Sequence, residues 1–117
     1  MGQYTIYHCH SNRSLLDSCT DYKEYADRVA ELGYKALALT EHGNAYNWVE
    51  KKMYINSKGL KYIHGVECYL TASLEEKVRD NYHTILLAKN YEGVKEINLL
   101  IDKSTPVSYT HLTLPTN

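Results

Sequence analysis

The sequence predicts an α/β fold in which strands and helices alternate around a parallel sheet or barrel. Three observations predict it. Short β-branched or apolar runs alternate with segments of helical periodicity, and the connections between them are brief. The run Lys35 to Thr40 is almost continuously apolar, as expected of a strand covered on both faces. Three of four predicted strands end in, or run straight into, a histidine or glutamate, and barrels of this class carry their chemistry at the carboxyl ends of strands.

The elements follow in order. Tyr4 to His8 is β-branched and aromatic and predicts a first strand, followed by a polar loop from His10 to Cys19. Asp21 and Glu24 form a capping-box pattern, with Thr20 the rival cap, and Tyr22, Ala26, Val29 and Leu32 recur at helical spacing until Gly33. After the strand ending at Thr40 and the loop Glu41-His42-Gly43-Asn44, a second helix is predicted from Ala45 to about Ser57. Its inward residues are Ala45, Trp48, Val49 and Met53, and Gly59 closes it. Lys61 to Leu70 predicts a third strand, Ser73 to Asn81 a polar loop, and His83 to Ala88 a fourth strand. Val94, Ile97, Asn98 and Ile101 mark a third helix. The stretch 104–117 is rich in Thr, Ser and Pro, lacks acidic residues and reads as an appended or linker tail, so 1–103 is taken as the domain and His111 is set aside.

Composition narrows the function classes. The 117 residues suffice for one domain. Lys and Arg number 13 against 14 Asp and Glu, which argues against a free-standing electrostatic DNA binder. The longest apolar runs, Ala36 to Leu39 and Ile85 to Ala88, exclude a membrane-spanning helix. At the amino end no Lys or Arg precedes an apolar stretch, and Ile6 stands where myristoylation wants Ser or Thr. Cys9, Cys19 and Cys68 contain no C-x-x-C pair, so neither a disulfide framework nor a zinc ribbon fits. A cytoplasmic protein is expected.

The chemistry-bearing residues lie at the strand ends. His8 and His10 share one side of an extended segment, so they can bind one metal or two adjacent metals, although H-x-H alone also describes ordinary surface or core histidines. Asp17 adds a hard oxygen, or turns the loop. His42 follows a buried-type strand, where it can serve as a ligand or a hydrogen-bonded loop residue. Glu67 lies in a strand otherwise fit for burial, where a lone carboxylate is costly unless paired or metal-bound. His83 opens the last strand. Together these four histidines and two carboxylates suit Zn²⁺, Mn²⁺ or Fe²⁺ better than Mg²⁺ or Ca²⁺, and they exceed what one tetrahedral ion needs. Cys9 and Cys68 each neighbour a candidate ligand and should face the other way. His64 alternates away from Glu67, and Lys51-Lys52 reads as a solvated helix face.

His8-Cys9-His10-Ser11 with Ser14-Leu15-Leu16-Asp17, then Ala36 to Asn44, Gly65-Val66-Glu67 and His83 to Ala88, resemble the successive motifs of the polymerase and histidinol phosphatase (PHP) domain family. The resemblance covers about 4–103 and is strongest to the amino-terminal PHP domains of bacterial DNA polymerase III alpha subunits. It implies the first part of a distorted (β/α)7 PHP barrel, which in the family holds up to three divalent metals on nine ligands. By resemblance His8, His10, Asp17, His42, Glu67 and His83 are the first six, and they carry the catalysis of a metal-dependent phosphoesterase. In relatives with an intact set that activity can be 3′–5′ proofreading exonuclease. The parent protein is then expected to be a DNA-directed DNA polymerase, with DNA and other replisome subunits as partners and no membrane.

The chain departs from the family in two respects. Glu41 stands where the family usually has Asp, so the carboxylate reaches one methylene farther. The remaining three family ligands and the later strands lie beyond this chain, so the fragment by itself is expected to be inactive. The alternatives are a free-standing PHP phosphatase such as histidinol phosphatase, and a metal-free PHP scaffold. Scaffolds typically carry substituted ligands, whereas all six positions are intact here.

Overall fold

A computed structural model describes residues 4–71 and 81–104. The elements are α1 (Tyr22–Glu31), β1 (Ala36–His42), α2 (Trp48–Ser57), β2 (Lys61–Thr71), β3 (Asn81–Leu87) and α3 (Tyr91–Ser104). The three strands form one sheet in the order β1-β2-β3. Most of the predicted loop Ser73 to Asn81 and all of the tail after Ser104 lie outside the described residues; Asn81 itself begins β3.

β1 and β2 run parallel, with Ala36 opposite Lys61 and His42 opposite Glu67. The crossover through α2 makes this direction available. β2 and β3 are antiparallel, with Glu67 opposite Ile85 and Tyr69 opposite His83. The expectation of an all-parallel sheet is therefore corrected. The two strands are nine residues apart in sequence, too few for a parallel crossover, and a short connection favours an antiparallel return. The reversal brings the start of β3 beside the end of β2, so His83 reaches the same sheet end as His42 and Glu67.

β1 is buried from Ala36 through Glu41, as its apolar run requires. Leu37 and Leu39 face a core formed with Tyr22, Ala26 and Val29 of α1, Ile55 of α2, and Leu60. The opposite face carries Thr40, Gly65 and Leu87 in one row, and His42, Glu67 and Ile85 in the next. Gly65 is required by close approach: a Cβ there would lie 2.7 Å from the Leu86 carbonyl oxygen, 2.8 Å from Leu87 Cδ2 and 2.9 Å from Thr40 Cγ2. The row beneath Glu67 closes only without a side chain at this position.

The predicted first strand is reduced to a single parallel bridge, Ile6 to Leu37. Ala38 N donates to Ile6 O at 3.1 Å and Thr40 N to Cys9 O at 2.8 Å, so three residues of this segment span two of β1. The surplus residue bulges the segment and interrupts the ladder. The Thr40 hydroxyl compensates by accepting from Cys9 N at 3.0 Å.

The helices correct three further expectations. Asp21 is the N-cap of α1, but its side chain makes no capping hydrogen bond, so the capping box does not form. Leu32 is 36% exposed rather than inward, because α1 already ends at Glu31 and Gly33 turns the chain with φ 79°. α2 begins at Trp48, and Val49 and Met53 are exposed while Lys51 and Ile55 are buried. Its inward face is thus rotated from the predicted one, and Lys51 is not a solvated lysine. Among the described residues no helix is long and apolar enough to cross a membrane.

Candidate metal centre

Glu67 is the point on which the candidate ligands converge. It projects from β2 at the last parallel pair, opposite His42 at the carboxyl end of β1, with its side chain 5% exposed. One carboxylate oxygen lies 2.6 Å from His8 Nε2 and 3.8 Å from His83 Nδ1. The other lies 3.0 Å from His42 Nδ1 and 3.5 Å from His10 Nε2. Burial alone would raise the Glu67 carboxyl, but hydrogen bonds from His42 and His8 and the charges of His10 and His8 outweigh it. The net effect holds the group below the ordinary carboxylate value.

The four imidazoles arrive by three routes. His8 and His10 come from the bulged segment, His42 ends β1, and His83 stands near the start of β3. Asp17 accepts from His10 Nδ1 at 2.5 Å, which turns Nε2 of that ring toward Glu67. Leu16, with φ 68°, takes the left-handed turn immediately before Asp17, and both the Asp17 and Ser18 amides bond back to Ser14 O. The structure therefore gathers five of the six candidates around one carboxyl group, counting Glu67 itself, and sets Asp17 behind His10.

A divalent metal fits this arrangement. His8, His10 and Glu67 each offer one donor atom, and these atoms lie within 4.8 Å of one another. His10 Nε2 is buried with no hydrogen-bond partner, a costly state for a ring nitrogen that a metal bond would relieve. Two imidazoles and a carboxylate, with a carboxylate behind one imidazole, match the donor chemistry of zinc and manganese sites. The residues face an open cleft of about 740 Å³, whose lining includes all six candidates with Tyr69, Leu15 and Tyr25.

The other residues singled out in the sequence are not gathered on Glu67, although Cys9 also borders the cleft. Cys9 packs against the core, and burial pushes its thiol up to about 11, with the Glu41 charge adding to the rise. Cys68 Sγ rests 3.6 Å from the Thr84 carbonyl oxygen. His64 donates from Nε2 to Asn98 Oδ1 and accepts from the Tyr62 hydroxyl, both at 2.8 Å, and so has its hydrogen bonds satisfied away from Glu67.

Tyr69 escaped sequence reasoning. The Tyr69 hydroxyl lies 3.2 Å from His42 Nε2, and its ring meets that of His83 edge-on at 4.8 Å. Its signal was available: Tyr69 is two residues from Glu67 on the same strand face. Ser11, Ser14, Glu41 and Lys51 are buried together behind the site. A glutamate closing a continuously apolar strand was the clue that a buried cation had to exist.

The chain matches the PHP domain over residues 7–113. It is 37% identical over 99 residues to the DNA polymerase III subunit alpha of Chlamydia pneumoniae, covering 80% of this chain and 8% of that protein. The DNA polymerase III subunit alpha of Campylobacter jejuni is 36% identical over 107 residues, covering 89% of this chain and 9% of the relative. The chain thus spans less than a tenth of the length of these relatives. Among solved structures, an amidohydrolase from Chromobacterium violaceum superposes with TM-score 0.59 at 26% identity, covering 71% of this chain and 27% of the other. A metal-dependent phosphoesterase from Bifidobacterium adolescentis shares the fold with TM-score 0.62 at 15% identity, over 94% of this chain and 42% of its own.

Proposed function

From the premise that this chain belongs to the PHP domain family, we propose that it is part of the metal-dependent phosphoesterase domain of a bacterial DNA polymerase III alpha subunit. The observation that carries the reading is the convergence of His8, His10, His42 and His83 on Glu67, with His10 Nε2 buried and without a hydrogen bond. The curated relatives favour the polymerase over a free-standing phosphatase.

In this reading His8, His10 and Glu67 hold one metal, and His42 and His83 contribute to a neighbouring position. Asp17 either ligates directly or keeps the His10 ring turned with Nε2 inward. Bound there, divalent metals supply Lewis acidity and a water of lowered pKa for in-line phosphoester hydrolysis. The chain's own residues do the rest. Glu67 brings negative charge to a buried rim, which favours cation binding. Tyr69 fixes the outward nitrogen of His42 and offers a hydroxyl at the cleft wall. The open cleft is the proposed entry for the end of a primer strand.

The metals proposed are Zn²⁺ or Mn²⁺, with Fe²⁺ also compatible with imidazole and carboxylate donors, and up to three in the complete domain. The activity proposed is 3′–5′ exonuclease in a cytoplasmic polymerase that engages DNA and other replisome subunits. The test is metal analysis of the full-length protein carrying this segment after exhaustive dialysis. Two or three divalent ions per chain are expected; a stoichiometry near zero would remove the phosphoesterase reading.

A further inference from the structure

We propose that Lys51 is a positioning residue of the metal centre, matched to the longer Glu41 carboxylate; the proposal rests on the metal-site reading above. Glu41 is 1% exposed and sits on the helix-facing side of β1, opposite in direction to His42. Its Oε1 accepts from Ser11 N at 2.8 Å and from Ser14 Oγ at 2.7 Å. Its Oε2 accepts from Ser11 Oγ and from Lys51 Nζ, the latter at 2.8 Å. Every one of these partners is buried.

The network is tied to the ligands through the backbone. Ser11 follows His10 directly. Ser14 Oγ accepts from His42 N at 2.9 Å, and Ser14 O accepts from Asp17 N at 3.0 Å. One carboxylate therefore fixes the chain at His10, Asp17 and His42, three of the six candidate ligands, from behind the cleft. Lys51 holds the outer oxygen of this longer carboxylate at 2.8 Å and so fixes where the side chain ends. Burial lowers the Lys51 ammonium and raises the Glu41 carboxyl, but the hydrogen bonds and charge between them and the two serines hold Glu41 below its usual value.

Reach makes the pair specific. Aspartate at position 41 is shorter by one methylene, about 1.5 Å of chain. It can hold the two serines or meet Lys51, but it cannot do both from the same backbone. A shorter acid leaves Lys51 buried without its partner, which is strongly destabilising; with an apolar residue at 51 the aspartate keeps the Ser11 amide and the two serine hydroxyls as the donors that stabilise its charge.

The test uses Lys51→Met, Glu41→Asp and the double variant in the full-length protein carrying this segment. Cobalt is the probe, read by its visible absorption spectrum and by competition with a chelator, alongside thermal unfolding of the metal-free protein. Each single variant is expected to weaken Co²⁺ binding by about 10- to 100-fold and to alter the spectrum. The double variant is expected to regain the wild-type spectrum and affinity to within about threefold. Lys51→Met that lowers the melting temperature but leaves spectrum and affinity unchanged would reduce the pair to a structural ion pair and overturn the proposal. If a single variant does not fold, the double variant decides: a wild-type spectrum supports matching, and a folded protein with a lost spectrum refutes it. Failure of the wild-type protein to take up cobalt would instead sink the metal-site reading itself.

Discussion

Replacing Glu67 with glutamine is expected to cost at least about a hundredfold in phosphoesterase rate and to empty the metal positions. The basis is that four imidazoles point at this one carboxylate, at 2.6 to 3.8 Å. Even groups that merely orient a ligand typically change metal affinity by about 10- to 100-fold, so loss of the shared anionic ligand falls at or beyond the upper end. Nucleotide addition should stay near wild type, because in the proposed parent protein that chemistry lies in other domains. The measurement is hydrolysis of a primer 3′ end and dNTP incorporation by the same full-length preparation, with metal content recorded for each. Equal loss of both activities in a folded variant would show that the two functions are not separate.

The second large effect concerns these residues on their own: they are expected to give no turnover and no cooperative melting transition. The segment spans 27% and 42% of the two barrel-type neighbours. Among the described residues β3 pairs on one side only, and the far side of β1 is met by a single bridge. Open edges of this kind invite association between chains. Leu15, Leu16, Met53, Leu70 and Tyr82 are more than half exposed, so apolar surface is left without cover. Folding margins are only about 5–15 kcal/mol, and a shortfall of a few buried side chains consumes much of that. Purified 1–103 supplied with Zn²⁺ or Mn²⁺ should therefore melt broadly and hydrolyse neither primer ends nor small phosphate esters. A sharp transition with turnover that disappears in His42→Ala would show a self-sufficient unit.

Two of the candidates were legible because they depart from the pattern of the strands that carry them. Glu67 interrupts an apolar strand, where burial demands a partner, and His42 follows one. The direction of β3 was half legible. Only about nine residues connect the two strands, fewer than a parallel crossover needs, and that length favours an antiparallel return, which would have placed His83 at the site end at once. The inward face of α2 was not legible. Trp48, Val49 and Met53 form a plausible apolar stripe, whereas the face that packs inward contains Lys51, whose burial depends on Glu41 in another element. Helical periodicity counts a lysine by its charged head and cannot register that its countercharge waits ten residues upstream. The bulge before β1 was equally hidden, since it arises from a mismatch of residue numbers between two segments rather than from either segment alone.

The burial of Lys51 also makes it a natural footprinting probe. Its side chain is 2% exposed, while the other described lysines lie at the surface. An amine-reactive label should modify those lysines rapidly and reach Lys51 only through a local opening that frees its ammonium from Glu41. The labelling rate at this one residue, followed by mass spectrometry in the full-length protein with and without added metal, then measures how often the support behind the site comes apart. Slower labelling with metal present would express the energy of metal binding as a protection factor, read on a residue that never touches the ion.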